Sequence, residues 1–455
     1  MSTQVAETIA SRVRDAGGRV FYVGGFVRDR LLGRDNKDVD IEVHGITPDK
    51  LFSLLSEIGE PVSFGQSFGV YALKGEDIDI AMPRREHAIG KGHRDFEIEV
   101  DPFIGTMEAA RRRDFTVNAL MQDVLTGEVI DHFGGREDLE AGILRHIDAE
   151  TFVEDPLRVL RGAQFAARFG FTIAPETIEL CRSIDLAPLS RERVFDEMKK
   201  ALLKAARPSV FFNYLREMDQ LDVWFTELAQ TIGLEQDPVF HPEGDVWVHT
   251  MEVIDRAAQV RDETSDPLAF MMLALTHDLG KIVTTEFVKG RIHAYEHETK
   301  GMPLVESFVR RLTDDRSITG YVENMVPLHM RPNVAAYSKP SVKSTNRMFD
   351  AAEAPRDLIY FAMADKPVFS GTDAFSGDSE FLFERLEEYK RTMEAPHVMG
   401  RDLIEAGLEP GDYFGELLEY AARNCGWRRK EKRRRKHGHP VCSGDAHRQP
   451  AGPVP

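Results

Sequence analysis

Cysteine is almost absent from this chain of 455 residues, which contains only Cys181, Cys425 and Cys442. These three lie far apart, so they offer neither a disulfide framework nor a Cys-x-x-Cys metal motif. Small disulfide-rich secreted scaffolds and zinc ribbons are therefore excluded. A reducing compartment, the cytoplasm, fits this composition.

Long hydrophobic runs are also missing. No apolar stretch approaches the roughly 18 residues that a bilayer-spanning helix needs. The amphipathic N-terminus lacks the basic, apolar and small-residue order of a secretory signal. With 42% hydrophobic and 29% charged residues, we expect a soluble globular protein without a membrane partner.

Positive charge is in deficit, with 58 Lys and Arg against 76 Asp and Glu. Phosphate contacts need Lys and Arg, so a surface that binds nucleic acid everywhere is excluded and only local patches remain, such as the arginines at 111–113 and 158–168. Nine basic residues lie in 428–455, a stretch without apolar periodicity. We predict a basic disordered tail at 426–455.

The length indicates more than one domain, at about 100 to 200 residues each. Short β-like runs alternate with Gly, Pro and Asp over residues 20–147, whereas apolar residues recur every three or four positions from Phe152 onward. We predict an α/β head at 1–148, a helical neck at 149–235 and a second helical domain at 236–425. Turn residues at 233–244 mark the second boundary.

A glycine pair stands near the start of the head. Gly24 and Gly25 follow a predicted strand and precede an amphipathic helix that contains Arg28 and Asp29. Glycine lets a backbone approach a phosphate closely, and a helix start offers free N–H groups to an anion. The pair alone is a weak signal of phosphate binding.

Alternating carboxylates follow the glycine pair. Asp38, Asp40 and Glu42 alternate with apolar residues, and a period of two places the acids on one face of a strand. Adjacent carboxylates repel each other unless a cation lies between them, and Mg²⁺ binds carboxylates together with substrate phosphates. Asp77 and Asp79 repeat the pattern, and we predict that Asp79 approaches the same metals from a neighbouring strand.

Together the glycine pair and the acids resemble motif A of the nucleotidyltransferase superfamily that includes DNA polymerase beta. The resemblance implies a polymerase beta-like α/β head with Asp38 and Asp40 as catalytic ligands of Mg²⁺. It also implies attack of a ribose 3′-hydroxyl on the α-phosphate of a nucleotide.

Two further motifs narrow the resemblance. RRRDFTVNAL at 111–120 and EDPLRVLRGAQFAARFGF at 154–171 resemble the class II tRNA nucleotidyltransferases, the CCA-adding enzymes, and their bacterial poly(A) polymerase relatives. The resemblance implies CTP and ATP as substrates and the tRNA 3′ end as acceptor. It implies nucleotide-binding roles for Gly24, Gly25, Arg28, Asp29, Arg112, Arg113, Asp114, Asn118, Glu154, Asp155, Arg158 and Arg161.

The spacing of Asp155, Arg158 and Arg161 adds a physical argument. Residues three apart share one side of a helix, and a carboxylate beside a guanidinium matches the edges of cytosine and adenine. Guanine and uracil would leave buried groups unpaired, at about 1 to 3 kcal/mol each. A surface ion pair is the alternative interpretation of this motif taken alone. Gln164 departs from the family pattern, which often has a basic residue there.

Residues 84–105, RREHAIGKGHRDFEIEVDPFIG, are rich in charge and glycine. They show no convincing pattern of secondary structure, and they resemble the family's flexible loop, which helps to switch specificity from C to A. We therefore expect an irregular, mobile segment.

The second half contains histidines and aspartates on helix-like segments. Their order resembles that of the HD superfamily of metal-dependent phosphohydrolases, which implies an HD-type helical body with four metal ligands: His249, His277, Asp278 and Asp365. Mixed imidazole and carboxylate ligands suit Mn²⁺, Ni²⁺, Fe²⁺ or Mg²⁺ better than a closed zinc site. His297 and His329 are candidates for binding phosphate or a further metal.

These resemblances imply a bacterial-type CCA-adding enzyme that uses its own side chains as template, with an HD body that hydrolyses phosphate ends or 2′,3′-cyclic phosphates. A poly(A) polymerase or a partial CC- or A-adding enzyme shares every motif. An HD phosphohydrolase with a nucleotide-binding head is a second alternative. A non-catalytic RNA-binding protein is disfavoured because Asp38 and Asp40 are both present. No oligomeric state follows from the sequence.

Overall fold

The structure, a computed structural model, describes residues 2–34, 36, 38–63, 69–88, 96–366, 378–394, 399–411 and 413–418. The predicted tail at 426–455 lies outside them. Within the described residues, no helix is both long and apolar enough to cross a bilayer. The chain divides into two units, formed by the described residues of 1–330 with 357–375 and of 331–356 with 376–455. The predicted boundaries at 148/149 and 235/236 lie inside the first unit and stay predictions.

The head is built on a mixed sheet. Its strands in chain order are β1 (Arg19–Val23), β2 (Val39–His44), β3 (Pro61–Ser63), β4 (Val70–Leu73), β5 (Ile78–Ala81), β6 (Arg84–Ala88), β7 (Phe96–Val100), β8 (Met121–Asp123) and β9 (Val129–Ile130). Seven of them form one sheet in the order β3-β4-β5-β2-β1-β8-β9. β2 pairs with β1 antiparallel and with β5 parallel. The β-like runs of the sequence are confirmed as β1, β2, β4, β5 and β9.

Short helices join these strands. They are α1 (Ser2–Asp15), α2 (Gly25–Leu31), α3 (Pro48–Ile58), α4 (Thr106–Arg111) and α5 (Gly135–Ala141). The helix predicted after the glycine pair is confirmed as α2. Ala110 of α4 packs with Phe21 and Val23 of β1 and Met121 of β8 in a buried core cluster. This packing brings the arginine-rich segment after α4 close to the glycine turn.

The expectation of an irregular segment at 84–105 is wrong for the residues that the structure describes there. β6 and β7 pair antiparallel, with Arg84 opposite Val100, while residues 89–95 lie outside the described residues. The alternating charged and apolar residues of FEIEV supply a strand pattern. The prediction was based on the charge and glycine content of the whole segment, so it missed this local pattern.

Helices dominate after the head, as predicted. The elements up to residue 229 are β10 (Ile143–Leu144), α6 (Ala149–Phe152), α7 (Leu157–Phe169), β11 (Thr172–Ile173), α8 (Pro175–Arg182), α9 (Arg191–Lys204), α10 (Ser209–Glu217) and α11 (Thr226–Ala229). α7 packs on α9 and α10. Its apolar side is buried, and Phe165 meets Phe115 of the head edge-on at 6.1 Å between centroids.

The remaining elements of the first unit include one almost wholly apolar helix. They are α12 (Val246–Ala257), α13 (Pro267–Thr276), α14 (Lys281–Thr284), β12 (Thr285–Val288), β13 (Arg291–Ala294), α15 (His297–Lys300), α16 (Met302–Leu312) and α17 (Arg316–Met325), followed after α18 (Met330–Ser338) and α19 (Val342–Ala351) by α20 (Pro355–Asp365). Every residue of α13, the apolar helix, from Ala269 to Thr276 is buried, and α13 packs on α12 and α17. Asp245 caps α12 by accepting a hydrogen bond from the N–H of Val248. This cap fixes the start of α12 and therefore the position of His249 in its second turn.

The second unit contains α18 except for Met330, together with α19, α21 (Asp378–Glu394) and α22 (Gly400–Glu405). α19 and α21 pack through the rings of Phe349 and Tyr389, whose centroids lie 5.6 Å apart. None of the predicted site residues lies in the described part of this unit.

Candidate functional site

The glycine pair lies at the junction of β1 and α2. Gly24 has φ +62°, in the left-handed region that favours glycine. A Cβ at Gly24 would lie 3.0 Å from Nη1 of Arg113. A side chain here would therefore strain the backbone and displace Arg113, so the turn and this predicted nucleotide-binding residue belong to one site.

β2 and β5 bring predicted metal ligands together. The strands run parallel with Asp40 in register with Asp79, so both side chains lie on the same face of the sheet. Asp38 immediately precedes β2 and is exposed. Burial, followed by the charge of Asp79, raises the pKa of Asp40 to about 6, although Arg113 opposes the shift. Such a set of crowded carboxylates fits a divalent cation such as Mg²⁺.

Glu42, the third acid of the alternating run, has ion-pair partners of its own. Its side chain is buried, with Oε1 2.8 Å from Nε2 of His44 and Oε2 accepting from Arg113 at 3.2 Å. Burial alone would raise the pKa of Glu42, but the hydrogen bond to His44 and the charge of Arg113 lower it to about 2. Glu42 therefore holds Arg113 beside the Gly24 turn.

A buried polar chain links α2 to α7. Arg28 donates to Asp29 at 2.7 Å and to the side-chain oxygen of Asn118 at 2.6 Å. Asn118 donates to Asp114 at 2.8 Å, and the other oxygen of Asp114 accepts from Arg161 at 2.8 Å. Burial opposes ionisation of Asp114, but Arg161 and Asn118 outweigh it and lower its pKa. Five predicted nucleotide-binding residues thus form one network.

The predicted base-reading residues lie at the start of α7. Asp155 precedes the helix, and its carboxylate accepts from Arg193 at 3.0 and 3.1 Å. Arg158 donates to the backbone carbonyls of Thr151 and Arg112 at 2.5 and 2.6 Å. The expected carboxylate beside a guanidinium is present, but its guanidinium belongs to Arg193 on α9, which the sequence spacing did not identify.

Gln164 and Glu154 complete this region. Gln164 is 1% exposed, and its Nε2 has no hydrogen-bond partner among the described residues, which leaves a buried donor unpaired. Glu154 is exposed in the turn before α7. One helical turn beyond Gln164, Arg168 lies over the ring of Phe169 at 4.9 Å, and Arg28 lies over the same ring at 4.3 Å.

A second cluster of side chains forms where α12, α13 and α20 meet. Nε2 of His249 lies 3.1 Å from Oδ1 of Asp365 and 3.3 Å from Nε2 of His277. Oδ2 of Asp278 lies 3.2 Å from Nε2 of His277. The structure therefore brings all four predicted ligands of the second half into one cluster.

His297 and His329 extend this histidine cluster. Nε2 of His297 lies 3.1 Å from Oδ1 of Asp278 and 3.2 Å from Nε2 of His329. Asp278 thus directs one oxygen toward His277 and the other toward His297. Among the six predicted residues, the ligand atoms form two convergent sets, His249 with His277 and Asp365, and Asp278 with His297 and His329. His241 and Glu243 form a third set with His249.

Backbone carbonyls orient the histidine rings. Nδ1 of His277, His297 and His329 lies 2.9, 2.9 and 2.7 Å from the carbonyl oxygens of Ala274, Ala294 and Val326. A proton on Nδ1 directs the Nε2 lone pair into the cluster. Facing lone pairs at 3.2 to 3.3 Å repel each other unless a proton or a cation lies between them. The donor set therefore fits metal ions.

Protonation differs between the histidines. Burial, followed by the proximity of His277, lowers the pKa of His329 to about 3, so its ring is neutral, the form that binds a metal. Burial would also lower the pKa of His277, but Asp278 and Asp365 raise it to about 10. A metal at His277 must displace a proton, so metal affinity rises with pH.

Sequence reasoning missed two buried supports of this cluster. Oε1 of Glu243 lies 2.7 Å from Nδ1 of His249, and Lys281 donates to Asp278 at 2.7 Å. Glu243 lies in the turn before α12, where no helical spacing relates it to His249. Lys281 follows Asp278 by three residues in THDLGK, a spacing that signals an ion pair.

Two glycines set the separation of Asp278 and His297. A Cβ at Gly280 would lie 1.9 Å from the carbonyl oxygen of His297, and a Cβ at Gly301 would lie 2.1 Å from Cα of Gly280. The backbones before α14 and after α15 are therefore in direct contact. Only glycine permits this contact, which places His297 against Asp278.

Comparisons with known proteins agree with this architecture. Residues 20–145 match the poly A polymerase head domain, and residues 170–232 match a domain described as a probable RNA and SrmB-binding site of polymerase A. With the in-register carboxylates beside the glycine turn, the head fold defines a nucleotidyltransferase.

The relatives are similar over nearly the whole chain. The multifunctional CCA protein of Nitrosococcus oceani is 34% identical over 88% of this chain and 96% of its own length. The one from Pasteurella multocida is 39% identical over 88% of this chain and 94% of its own. Among solved structures, the Thermotoga maritima CCA-adding enzyme complexed with tRNA-CCA superposes on this chain with a TM-score of 0.59. The match covers 91% of this chain and 88% of that chain, at 21% sequence identity.

This chain belongs to the family of CCA-adding enzymes and poly(A) polymerases. Nucleotidyltransferases of this family use a divalent metal. The resemblance to this family is therefore confirmed, and so is the predicted polymerase beta-like head. The HD-type assignment of the second helical domain stays a prediction.

Proposed function

We propose that this protein adds C, C and A to the 3′ ends of tRNA, using CTP and ATP and no nucleic-acid template. One observation carries the proposal: Asp40 and Asp79 lie in register beside the glycine turn, next to a buried network of nucleotide-binding candidates. The names of the relatives, multifunctional CCA proteins, support CCA as the product. A tRNA substrate and the cysteine-poor composition favour the cytoplasm.

The head residues have distinct parts in this proposal. Asp38 and Asp40 would hold two Mg²⁺ ions, with Asp79 in register beside Asp40 on β5. When bound, such ions stabilise the charge that develops on the attacking and leaving oxygens. Arg113, held by Glu42, and Arg161, held by Asp114, present guanidinium groups to the triphosphate, whose oxygens accept paired hydrogen bonds from arginine.

The product of addition tests the proposal against its rivals. The protein is incubated with tRNA lacking the terminal CCA, or ending at the second C, and with each nucleotide separately and then together. CCA addition predicts two C residues followed by one A, after which addition stops. Long A tracts would indicate a poly(A) polymerase, and a product that ends after CC or requires CC would indicate a partial enzyme.

Asp155 and Arg158 are proposed to select the base, with Arg193 as the guanidinium that faces Asp155. We expect Asp155→Asn to relax discrimination against UTP and GTP by about ten- to a hundredfold, because the amide can donate where the carboxylate only accepts. Total incorporation of CTP should fall less. Competition between CTP and UTP measures this ratio, with the exposed Glu150→Gln as the control. Unchanged discrimination by Asp155→Asn would remove Asp155 from base selection.

The pKa of Asp40 predicts a stability effect in metal-free protein. It is about 6 in the folded state and 3.8 in the reference state, so the folded protein binds more protons between these values and loses stability as pH rises through this window. We expect Asp40→Asn in EDTA to melt about 2 °C above the unmodified protein at pH 8, with a smaller difference at pH 5. Scanning calorimetry measures both. An equal difference at both pH values would contradict this cause.

The histidine cluster supports a second activity, hydrolysis of phosphate ends or 2′,3′-cyclic phosphates. The Nε2 atoms of His249 and His277 face each other, as do those of His297 and His329. This arrangement favours a bound Mn²⁺, Ni²⁺, Fe²⁺ or Mg²⁺ ion. When bound, such ions polarise a phosphoester and activate water. Lys281 and the carbonyl-bound Nδ1 groups hold the ligands in place, while Glu243 orients His249.

A further inference from the structure

Aromatic side chains line one face of a hairpin beside the histidine cluster. β12 and β13 are joined by Lys289 and Gly290, both at positive φ, as a tight hairpin turn requires. On β13 and just beyond it, the rings of His293 and Tyr295 are stacked, with centroids 4.8 Å apart and 11° between their planes. Tyr295 is 58% exposed, so it presents ring surface to solvent.

Phe240 extends this surface from a neighbouring segment. Arg291, two residues before His293 and on the same face of β13, lies over the Phe240 ring at 5.5 Å. Asp237 fixes that guanidinium with contacts of 2.7 and 2.8 Å. Phe240 is 62% exposed. We call this surface the aromatic strip; it consists of Phe240, Arg291, His293 and Tyr295.

One end of the aromatic strip connects directly to a predicted ligand. The carbonyl of Ala294, between His293 and Tyr295, lies 2.9 Å from Nδ1 of His297. A single residue, Glu296, separates Tyr295 from His297, and it has φ +58°. A non-glycine residue is uncommon in this region, and such strain occurs at functional sites. The backbone that places Tyr295 therefore also places His297.

The other end of the strip leads to His249. Phe240 is followed by His241, whose Nδ1 lies 3.0 Å from Oε1 of Glu243. The same oxygen lies 2.7 Å from Nδ1 of His249. One segment of the strip thus contacts His297 directly, and the other reaches His249 through Glu243. Both links connect the strip to the cluster.

The exposed rings and the guanidinium plane of the strip are suited to stacking on a nucleobase. Every base has a π face that stacks on aromatic rings and on arginine planes, without sequence preference. Two neighbouring cations are ion-paired, Arg291 with Asp237 and Lys300 with Glu296. The charge of Arg291, the cation within the strip, is therefore balanced, while its guanidinium plane lies over the Phe240 ring. This favours a base over a phosphate backbone.

We propose that the aromatic strip binds the terminal nucleobase of an RNA 3′ end or nucleotide whose phosphate is held at the histidine cluster. This inference rests on the proposed hydrolytic function of that cluster. It assigns base binding to Tyr295, with His293 supporting its ring and Phe240 continuing the surface. Recognition is expected to tolerate all four bases, because stacking does not read base edges.

Tyr295→Ala tests the inference. We expect the KM for adenosine 2′,3′-cyclic phosphate to rise about 5- to 150-fold with kcat unchanged, since one stacking contact is lost. The KM for methyl riboside 2′,3′-cyclic phosphate, which has no base, should not change. Tyr295→Trp should restore the low KM. Phe287→Ala is the matched control, because Phe287 is 74% exposed but lies opposite Ile292 on the other face of the hairpin.

Failures of the two proposals are distinguishable. If the unmodified protein hydrolyses neither substrate with Mn²⁺, Ni²⁺, Fe²⁺ or Mg²⁺, the hydrolytic function is wrong. Calorimetric binding of adenosine 3′-monophosphate then tests base binding by the aromatic strip. A Kd raised about 5- to 150-fold by Tyr295→Ala supports base binding, and an unchanged Kd overturns it. If hydrolysis occurs but both substrates have equal KM, or Tyr295→Ala changes neither the KM nor the Kd for the adenosine compounds, the strip inference is overturned and the hydrolytic function stands.

Discussion

Asp40→Asn is expected to slow nucleotide addition by about a thousandfold, because a metal ligand supplies several kcal/mol of transition-state stabilisation and each 1.4 kcal/mol is a factor of ten. The amide keeps the volume of the side chain but loses the charge that binds a divalent ion. The initial rate of CTP incorporation into tRNA lacking CCA measures the effect. Asp38→Asn should show a loss of the same order.

The control is Asp77→Asn. Asp77 is exposed just before β5, so the substitution removes one negative charge near the same strand without removing a proposed ligand. We expect full activity from it. Near-normal incorporation by Asp40→Asn would exclude Asp40 from the catalytic site, whereas equal losses in both variants would indicate a general effect of charge.

The alternating pattern of the sequence was sufficient to predict β2 and β5, because a half-buried strand repeats every two residues. It also led to the prediction that Asp79 approaches the same metals as Asp38 and Asp40 from a neighbouring strand. The register places Asp79 beside Asp40, and the shared metal site stays a prediction. The pattern could not distinguish the acids of one face from each other. Glu42 has the same spacing as Asp40, yet its surroundings make it an ion-pair partner of Arg113.

Contacts between distant segments were beyond the reach of the sequence. The spacing of Arg158 and Arg161 places both on α7, but it does not say what lies across from each one. The structure shows that Arg161 meets Asp114 and that Arg158 meets two backbone carbonyls. Arg193 was missed for the same reason, since α9 approaches Asp155 only through helix packing.

The order of histidines and aspartates in the sequence predicted the ligands of the histidine cluster. It did not predict the groups that hold these ligands in place. We predicted His249, His277, Asp278 and Asp365 from the resemblance of their order to the HD superfamily, and the structure brings them into one cluster. Glu243 and the carbonyls that bind Nδ1 follow from the local backbone, and the glycine contact follows from the close approach of two segments. Such features depend on tertiary geometry, which leaves only a faint pattern in one sequence.

Asp278 is the residue whose loss should affect this cluster most. Its two oxygens lie toward different histidines, His277 and His297, and it also accepts from Lys281. It is therefore the link between the two sets of ligand atoms. Asn at this position keeps the shape but removes the negative charge and one oxygen. The set with His297 and His329 would lose its carboxylate, and His277 would lose a charged contact.

We expect Asp278→Asn to lose the metal bound at the cluster and to slow hydrolysis of 2′,3′-cyclic phosphates by about a thousandfold. Nucleotide addition should continue at the unmodified rate, because the two sites share no residue and separate sites behave additively. Elemental analysis after dialysis, both activities and the melting temperature are measured on one preparation, with the exposed Asp262→Asn as control. Loss of addition by a folded Asp278→Asn protein would mean that the cluster serves the polymerising site, while retained hydrolysis would place that activity elsewhere in the chain.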